Sequence, residues 1–157
     1  MTSEKVHNRL DELEVALLQN FPPAECELKH EFEGGMYRRT ILMYAGSTWT
    51  TVTHNKDHFY FVLTGKANVF DEQNGTVTLQ APDFGVTKKG TRRVLEILED
   101  MIFATVHVTD IVPENDSEEA KSEAGRKVLE EVTENRINHV LGARVINNEI
   151  QPNLIKE

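Results

Sequence analysis

The stretch Gly46–Gly65, GSTWTTVTHNKDHFYFVLTG, holds two β-like segments with a histidine at the end of one and a second at the start of the next. Residues 48–54 and 58–63 are rich in Thr, Val, Phe and Tyr, which fit a pleated, half-buried surface. Working outward, the pattern continues through 26–32, 36–44, 67–70, 76–80, 84–87, 92–98 and 101–108. Turn signals separate these segments: Gly34-Gly35, Ala45-Gly46, Thr64-Gly65, Asn74-Gly75, Lys89-Gly90 and Glu99-Asp100. Asn74-Gly75 is the strongest hairpin signal. Many short strands with no helix-length interruption point to a mainly β, antiparallel sandwich or closed barrel, not to parallel βαβ units.

The two ends differ. Val6, Leu10, Leu13 and Leu17 recur at helical spacing, so 3–19 reads as an amphipathic helix capped by Ser3 and ended by Asn20 and Phe21-Pro22-Pro23. Residues 109–116 read as a linker. Asp116 and Glu119 resemble a capping box, and a helix is expected over 117–141, stopped by Gly142. In the tail 143–157, Val145, Ile146, Ile150 and Ile155 imply docking on something. The chain therefore divides into an N-terminal helix and linker (1–23), a barrel (24–110), and a C-terminal helix and tail (111–157). The apolar stripes at both ends predict a homodimer or larger assembly.

Length and composition suit one globular domain: 157 residues, 39% hydrophobic and 27% charged. No run of about 18 apolar residues exists to span a membrane. The polar, acidic start is unlike a signal or transit peptide, so the expected location is the cytoplasm. The one cysteine, Cys26, excludes an intramolecular disulfide and a four-cysteine zinc site. The net charge is −9, carried mostly by the ends: residues 1–31 have 7 acids against 3 bases, and 112–157 have 10 against 6. General nucleic-acid binding is therefore not expected. The middle is near balance, and Lys88, Lys89, Arg92 and Arg93 fall within six residues of one another.

Gly46–Gly65 resembles the first cupin motif, in which a glycine, H-x-H, a glutamate and a closing glycine bring two imidazoles and a carboxylate to one metal inside a jelly-roll barrel. Here His54 matches the second histidine, His58 stands at the glutamate position, Gly65 closes the motif, and Val52 stands where the first histidine belongs. Residues 82–93, PDFGVTKKGTRR, resemble a degraded second motif: Pro82-Asp83 stands for Gly-Asp, Gly90 for the turn glycine, and Arg93 for the metal histidine. The chain is also similar to small cupin-like proteins encoded by bacteriophages, through His54/His58, Ala81-Pro82, Gly90-Thr91-Arg92-Arg93, Glu99-Asp100 and Thr105-Val106-His107. The resemblance implies a single cupin (jelly-roll) barrel with a helix at each end. It also implies pairing through the sheets and a viral origin, with the host cytoplasm or a virion as the location. It brings no established activity.

Two constellations carry chemistry. His54, His58 and His107 form a candidate three-imidazole site for one divalent transition metal, with an open position; His30 is a fourth candidate. If Glu99-Asp100 is a two-residue turn, however, Leu95, Ile97, Ile102, Ala104 and Val106 share one face and His107 lies on the other. A bulge would reverse that. The second constellation is basic. Arg93, Arg92, Lys88 and Arg39, with Tyr60 among the aromatics able to stack, are the candidate residues for a small anionic ligand. Arg93 alternates with Leu95 and Ile97, so it points inward and needs an anion: Glu33, Asp57, Asp83, Glu96 or a ligand.

Three functions follow. The first is a non-catalytic binding module for a small anion, such as a nucleotide or phosphosugar, with or without a metal. The alternative is a structural or virion-associated assembly protein using the barrel as scaffold. The further alternative is a metal-dependent enzyme.

Overall fold

The structure, a computed structural model, describes residues 12, 16, 24–51, 53–71 and 75–133, and the strand backbones of 140–146 and 149–154. In chain order the elements are β1 (Cys26–Glu33), β2 (Met36–Met43), β3 (Ser47–Thr50), β4 (His58–Asp71), β5 (Gly75–Gln80), β6 (Asp83–Thr87), β7 (Arg93–Val108), α1 (Glu118–Val132), β8 (Val140–Ile146) and β9 (Glu149–Leu154). Glu12 and Ala16 are helical. The rest of the expected 3–19 helix, and Asn74 of the expected hairpin turn, lie outside the described residues.

Two long antiparallel strands form the spine. β4 runs 14 residues and β7 runs 16, paired from Phe59↔Val106 to Asp71↔Arg93. Shorter strands flank them. β2 and β3 both pair with β7, β1 with β2, and β8 with β3 and β9, while β5 and β6 pair with β4. Leu28 of β1, Trp49 of β3, Val62 of β4, Leu79 of β5 and Ile97 of β7 meet in one core, so the sheet curls around a single interior. Among the described residues its hydrogen-bonded order does not return on itself. The expected closed barrel is instead an open, curled sheet.

Two expected turns prove to be strand interior. At Thr64-Gly65 the β4–β7 register shifts, but β4 continues. Gly65 has φ +93°, and a Cβ there would lie 2.6 Å from Met101 Cα. Only glycine allows this conformation and this approach. At Glu99-Asp100, β7 also runs straight through. Here one neighbour leaves and the next joins: β2 ends at Met43↔Met101, and β3 takes over by Glu96↔Thr48. The polar pair serves that corner, with the Asp100 carboxylate accepting a hydrogen bond from Ala45 N at 2.8 Å.

Helix α1 starts one residue later than expected and ends nine earlier. Ser117, not Asp116, is the N-cap, its hydroxyl accepting from Ala120 N at 3.1 Å. Asp116 pairs with Lys121 instead. Beyond the helix, Val140–Ile146 is extended, with Ser47↔Arg144 and Thr48↔Ala143 in register. The expected continuation to 141 therefore gives way to strand. Val140, Val145, Ile146 and Ile150 are β-branched and favour extended backbone once a neighbouring edge is on offer. No helix among the described residues is long and apolar enough to cross a membrane.

Gly65→Ala should lower folding stability by about 3 kcal/mol, because it meets both strain and backbone contact. Gly75→Ala, at φ +69° with nothing within 4 Å of the added Cβ, should cost only about 1 kcal/mol. Urea unfolding of the two variants checks the difference.

Candidate metal centre

The β4–β7 pairing brings two histidines side by side. Phe59 sits opposite Val106, so His58 and His107 occupy the next pair of positions. Because β7 is unbroken, strand parity puts His107 on the same face as Leu95, Ile97, Met101 and Phe103. The expected outward facing of His107 fails with the two-residue turn on which it rested. His58 and His107 are 7% and 4% exposed. His54 arrives from outside the main strands, on an isolated bridge to Thr133, with its carbonyl accepting from Gly90 N at 2.9 Å.

The three rings converge. Their centroids are 4.2 Å (His54–His58), 4.6 Å (His58–His107) and 5.5 Å (His54–His107) apart. One ring nitrogen from each lies within 4.8 Å of the others. His58 Nδ1 makes a long 3.5 Å contact with the Lys56 carbonyl, and His107 Nε2 lies 3.0 Å from the Thr105 hydroxyl. His30 does not join them. Its Nδ1 is 2.6 Å from the Tyr37 hydroxyl, and the Tyr37 ring stacks between His30 and His107 at 5.9 and 6.1 Å.

Burial holds both β-strand histidines neutral. Removal from water pushes His107 down to about 3, helped by the neighbouring His58 and the Arg39 charge. His58 is also lowered, chiefly by burial and in part by Arg93, against a smaller opposing effect of the Lys56 carbonyl. Neutral imidazole is the form that binds a transition metal.

His54 and His58 face an interior cavity of about 120 Å³. Arg39 and Arg93 line it with five threonines (Thr50, Thr51, Thr87, Thr91 and Thr105) and an apolar remainder including Trp49 and Phe103; no carboxylate is among the described lining residues. A larger outer groove of about 500 Å³ passes His58 and His107 on the other side, with Lys56 and Lys88 on its rim.

The basic residues separate accordingly. Arg93 faces the cavity and donates from Nε to Asp71 at 3.1 Å. That carboxylate, only 5% exposed, sits directly opposite on β4. It is none of the four acids expected from sequence: Asp57 pairs with Lys88, Asp83 accepts from the Tyr60 hydroxyl, Glu96 lies opposite Thr48 and Asn68, and Glu33 opposite Met36. The Arg93 guanidinium lies 5.6 Å from the centre of the Tyr60 ring, which has room because Gly85 opposite it carries no side chain. Arg39 lines the cavity. Arg92 is fully buried beside it, its Nε donating to the Thr51 carbonyl at 3.4 Å. Lys88 belongs to the outer groove.

No family model matches the chain, and no curated protein matches it. Among solved structures it is similar to the cupin domain of Schizosaccharomyces pombe Cnp3, with 16% identity and a TM-score of 0.46 over 54% of this chain and 65% of that one. It is similar to ectoine synthase from P. lautus, at 12% identity and TM-score 0.47 over 60% and 72%. A cupin superfamily protein from Desulfitobacterium hafniense gives 12% and 0.46 over 62% and 89%.

Sequence reasoning missed Asp71 and Asn55. The first required the β4–β7 register. Asn55 is adjacent to His54 in sequence, but its partners are 76 and 77 residues away on α1, at the carbonyls of Glu131 and Val132.

Two measurements test this electrostatic picture. Below pH 6.5 the unfolded chain takes up protons that folded His58 and His107 refuse, down to about 3 for His107. Stability of the metal-free protein should therefore fall as pH drops through that window, by up to about 1.4 kcal/mol per pH unit for each histidine. Urea midpoints at pH 7 and pH 5 should differ, and His107→Gln should shrink the difference. Separately, Asp71→Asn should cost about 2 kcal/mol by leaving Arg93 without its carboxylate, and adding Arg93→Met should restore most of it.

Proposed function

We propose that the chain is a binding module that holds a divalent transition metal on His54, His58 and His107 and a small oxyanion in the adjoining cavity, beside Arg39 and Arg93. The observation that carries this reading is three clustered imidazoles, two of them buried and held neutral, beside a cavity lined by two guanidiniums and no carboxylate among its described residues. The donor set fits a metal. Imidazole suits zinc, iron, copper and nickel, and nitrogens ~2.1 Å from one tetrahedral ion lie ~3.4 Å apart, so ring nitrogens within 4.8 Å of one another close by at most about 1.4 Å. The Lys56 and Thr105 contacts occupy one nitrogen on each of His58 and His107, leaving Nε2 of the first and Nδ1 of the second to face an ion. Three protein ligands leave a position open, and a bound metal would act there as a Lewis acid toward an anionic oxygen.

Size narrows the ligand. An engineered cavity of about 150 Å³ takes benzene, and drug-sized ligands occupy roughly 300–1,000 Å³. A cavity of about 120 Å³ therefore favours an oxyanion of a few heavy atoms over a nucleotide or phosphosugar. Binding is favoured over catalysis because, apart from the histidines, the described lining holds only arginine, threonine and apolar side chains. None of these is an ordinary proton acceptor at neutral pH.

An assembly role has its own observation. Phe59, Phe61, Leu63, Phe84, Val86 and Val108 lie exposed on the outer face of β6, β4 and β7, with Phe59 at 58% and Phe84 at 77%. With whole side chains of ~150–250 Å², the exposed area is on the order of 600 Å². That approaches the ~800 Å² each partner contributes to a standard interface and stands at the top of the ~300–600 Å² range of the largest patch on a typical monomer. The occupant that fits is a second copy presenting the same face.

Elemental analysis of protein purified without chelator should find about one transition metal per chain, lost in His58→Ala/His107→Ala; metal retained in that variant refutes the site. Oxalate or phosphate should raise the melting temperature of the metal-loaded protein with the logarithm of ligand excess, and Arg93→Lys, which keeps the Asp71 pair but not the planar fork, should weaken the effect. For assembly, light scattering at micromolar concentration should give a dimer that Phe59→Glu/Phe84→Glu converts to monomer. A monomeric wild type removes that role.

A further inference from the structure

We infer that helix α1 is a clamp on the His54 corner of the site, acting through Asn55 as its positioning residue, so that metal occupancy and α1 docking reinforce each other. The inference rests on the metal reading above.

The three histidines are held differently. His58 begins β4 and His107 lies near the end of β7, both within paired strands. His54 lies outside the named strands: its carbonyl accepts from Gly90 N at 2.9 Å, and its bridge is to Thr133, the residue that ends α1. The next residue, Asn55, donates twice to the same helix end: its backbone N–H to the Val132 carbonyl at 2.8 Å and its Nδ2 to the Glu131 carbonyl at 3.0 Å.

Those carbonyls are among the last four of the helix, which have no partner inside it. Among the described residues the Thr133 hydroxyl also reaches that end, donating to the Leu129 carbonyl. No basic residue lies in its last turn, and its cap is an extended threonine rather than a left-handed glycine. Glu131 adds negative charge where the helix dipole is already negative, while Glu130 is paired with Arg126. Asn55 thus completes the helix, and the helix in return fixes the loop that carries His54. A cation held by His54 sits beside the same negative end, which adds an electrostatic reason for occupancy and docking to go together.

The other end of the contact is close-packed. A Cβ at Gly125 would lie 2.5 Å from His30 Nδ1 and 2.7 Å from the Tyr37 hydroxyl, so only glycine lets α1 lie this near β1 and β2. Val128 packs on Tyr37, and Tyr37 stacks on His107. One helix therefore bears on two of the three imidazoles by separate routes. Coupling of this kind is reciprocal: what loosens α1 weakens metal binding, and metal slows the release of α1.

The test uses metal-stripped full-length protein and zinc alone. Asn55→Ala should lower zinc affinity about tenfold, the scale of outer-shell substitutions, and Gly125→Ala should lower it by displacing the helix from its packed face. Ser117→Ala, which weakens the far end of the same helix, should leave affinity within about twofold. In the wild type, zinc should slow amide hydrogen exchange at Asn55 and residues 128–133. The clamp is overturned if zinc binds the histidines while Asn55→Ala binds it as tightly as wild type, if Ser117→Ala weakens it equally, or if exchange in α1 ignores zinc. The exchange measurement decides the matter even if Asn55→Ala fails to fold. Absence of zinc binding in the wild type would instead overturn the metal reading, and the clamp with it.

Discussion

β4 and β7 lie side by side along nearly their whole lengths, and the placement of His58, His107, Asp71 and Arg93 depends on their register. At one end Phe59↔Val106 brings His58 beside His107; at the other Asp71↔Arg93 places a carboxylate opposite an inward arginine. A slip of one residue would turn each of these side chains to the opposite face. The register is not uniform, since it shifts three times between Val62 and Ala67. Gly65 makes that zone tolerable, because its backbone passes against Met101 where a side chain would not fit. The Thr64 hydroxyl helps fix it by accepting from Ile102 N at 3.1 Å. A single glycine at mid-strand therefore lets both ends of the spine keep their pairings.

Burial then decides the charge state of what the register has gathered. Imidazoles can avoid the cost of desolvation by losing a proton, and His58 and His107 do so. Arginine cannot, so Arg93 requires a permanent partner, and Asp71 opposite supplies it. The two solutions leave different interiors. The histidines themselves contribute lone pairs and no charge. Around Arg93 there is a satisfied ion pair, with remaining guanidinium N–H groups able to meet an anion in the cavity.

The strands were legible in the sequence because alternation and β-branched residues mark them directly: six of the nine expected segments lie within single observed strands, and the other three overrun a strand end by one to four residues. What was not legible was where a polar pair ends a strand and where it only marks a change of neighbour. Glu99-Asp100 looks like a turn because turns and sheet corners are both exposed and both recruit acids. The error propagated, since the facing of His107 was reckoned through that turn. Similarly, the helical reading of 117–141 extends past Val132 because Leu141 and then Gly142 look like a last apolar position and a stop, and only an available partner at β3 selects the strand at Val140–Ile146. The inward direction of Arg93 was legible from its alternation with Leu95 and Ile97. The identity of its acid was not, because Asp71 is 22 residues away across a bulged register.

The same electrostatics constrain what the site can hold. A dication beside three neutral imidazoles gains no charge from its ligands. Arg39 and Arg93, which line the cavity with His54 and His58, add positive potential, which Asp71 beside Arg93 and Asp57 near His58 partly offset. At an effective dielectric near 20 a unit charge several ångströms away still acts with a few kcal/mol, so a metal ion alone is held against a penalty. An oxyanion in the cavity reverses it, because the same negative charge faces the metal on one side and the guanidiniums on the other. Metal and anion are then each other's missing counter-charge. On the proposed reading, the absence of a carboxylate from the described lining, where the cupin resemblance would place a glutamate ligand and this sequence has His58, is a condition for binding an external anion rather than a defect in a metal site.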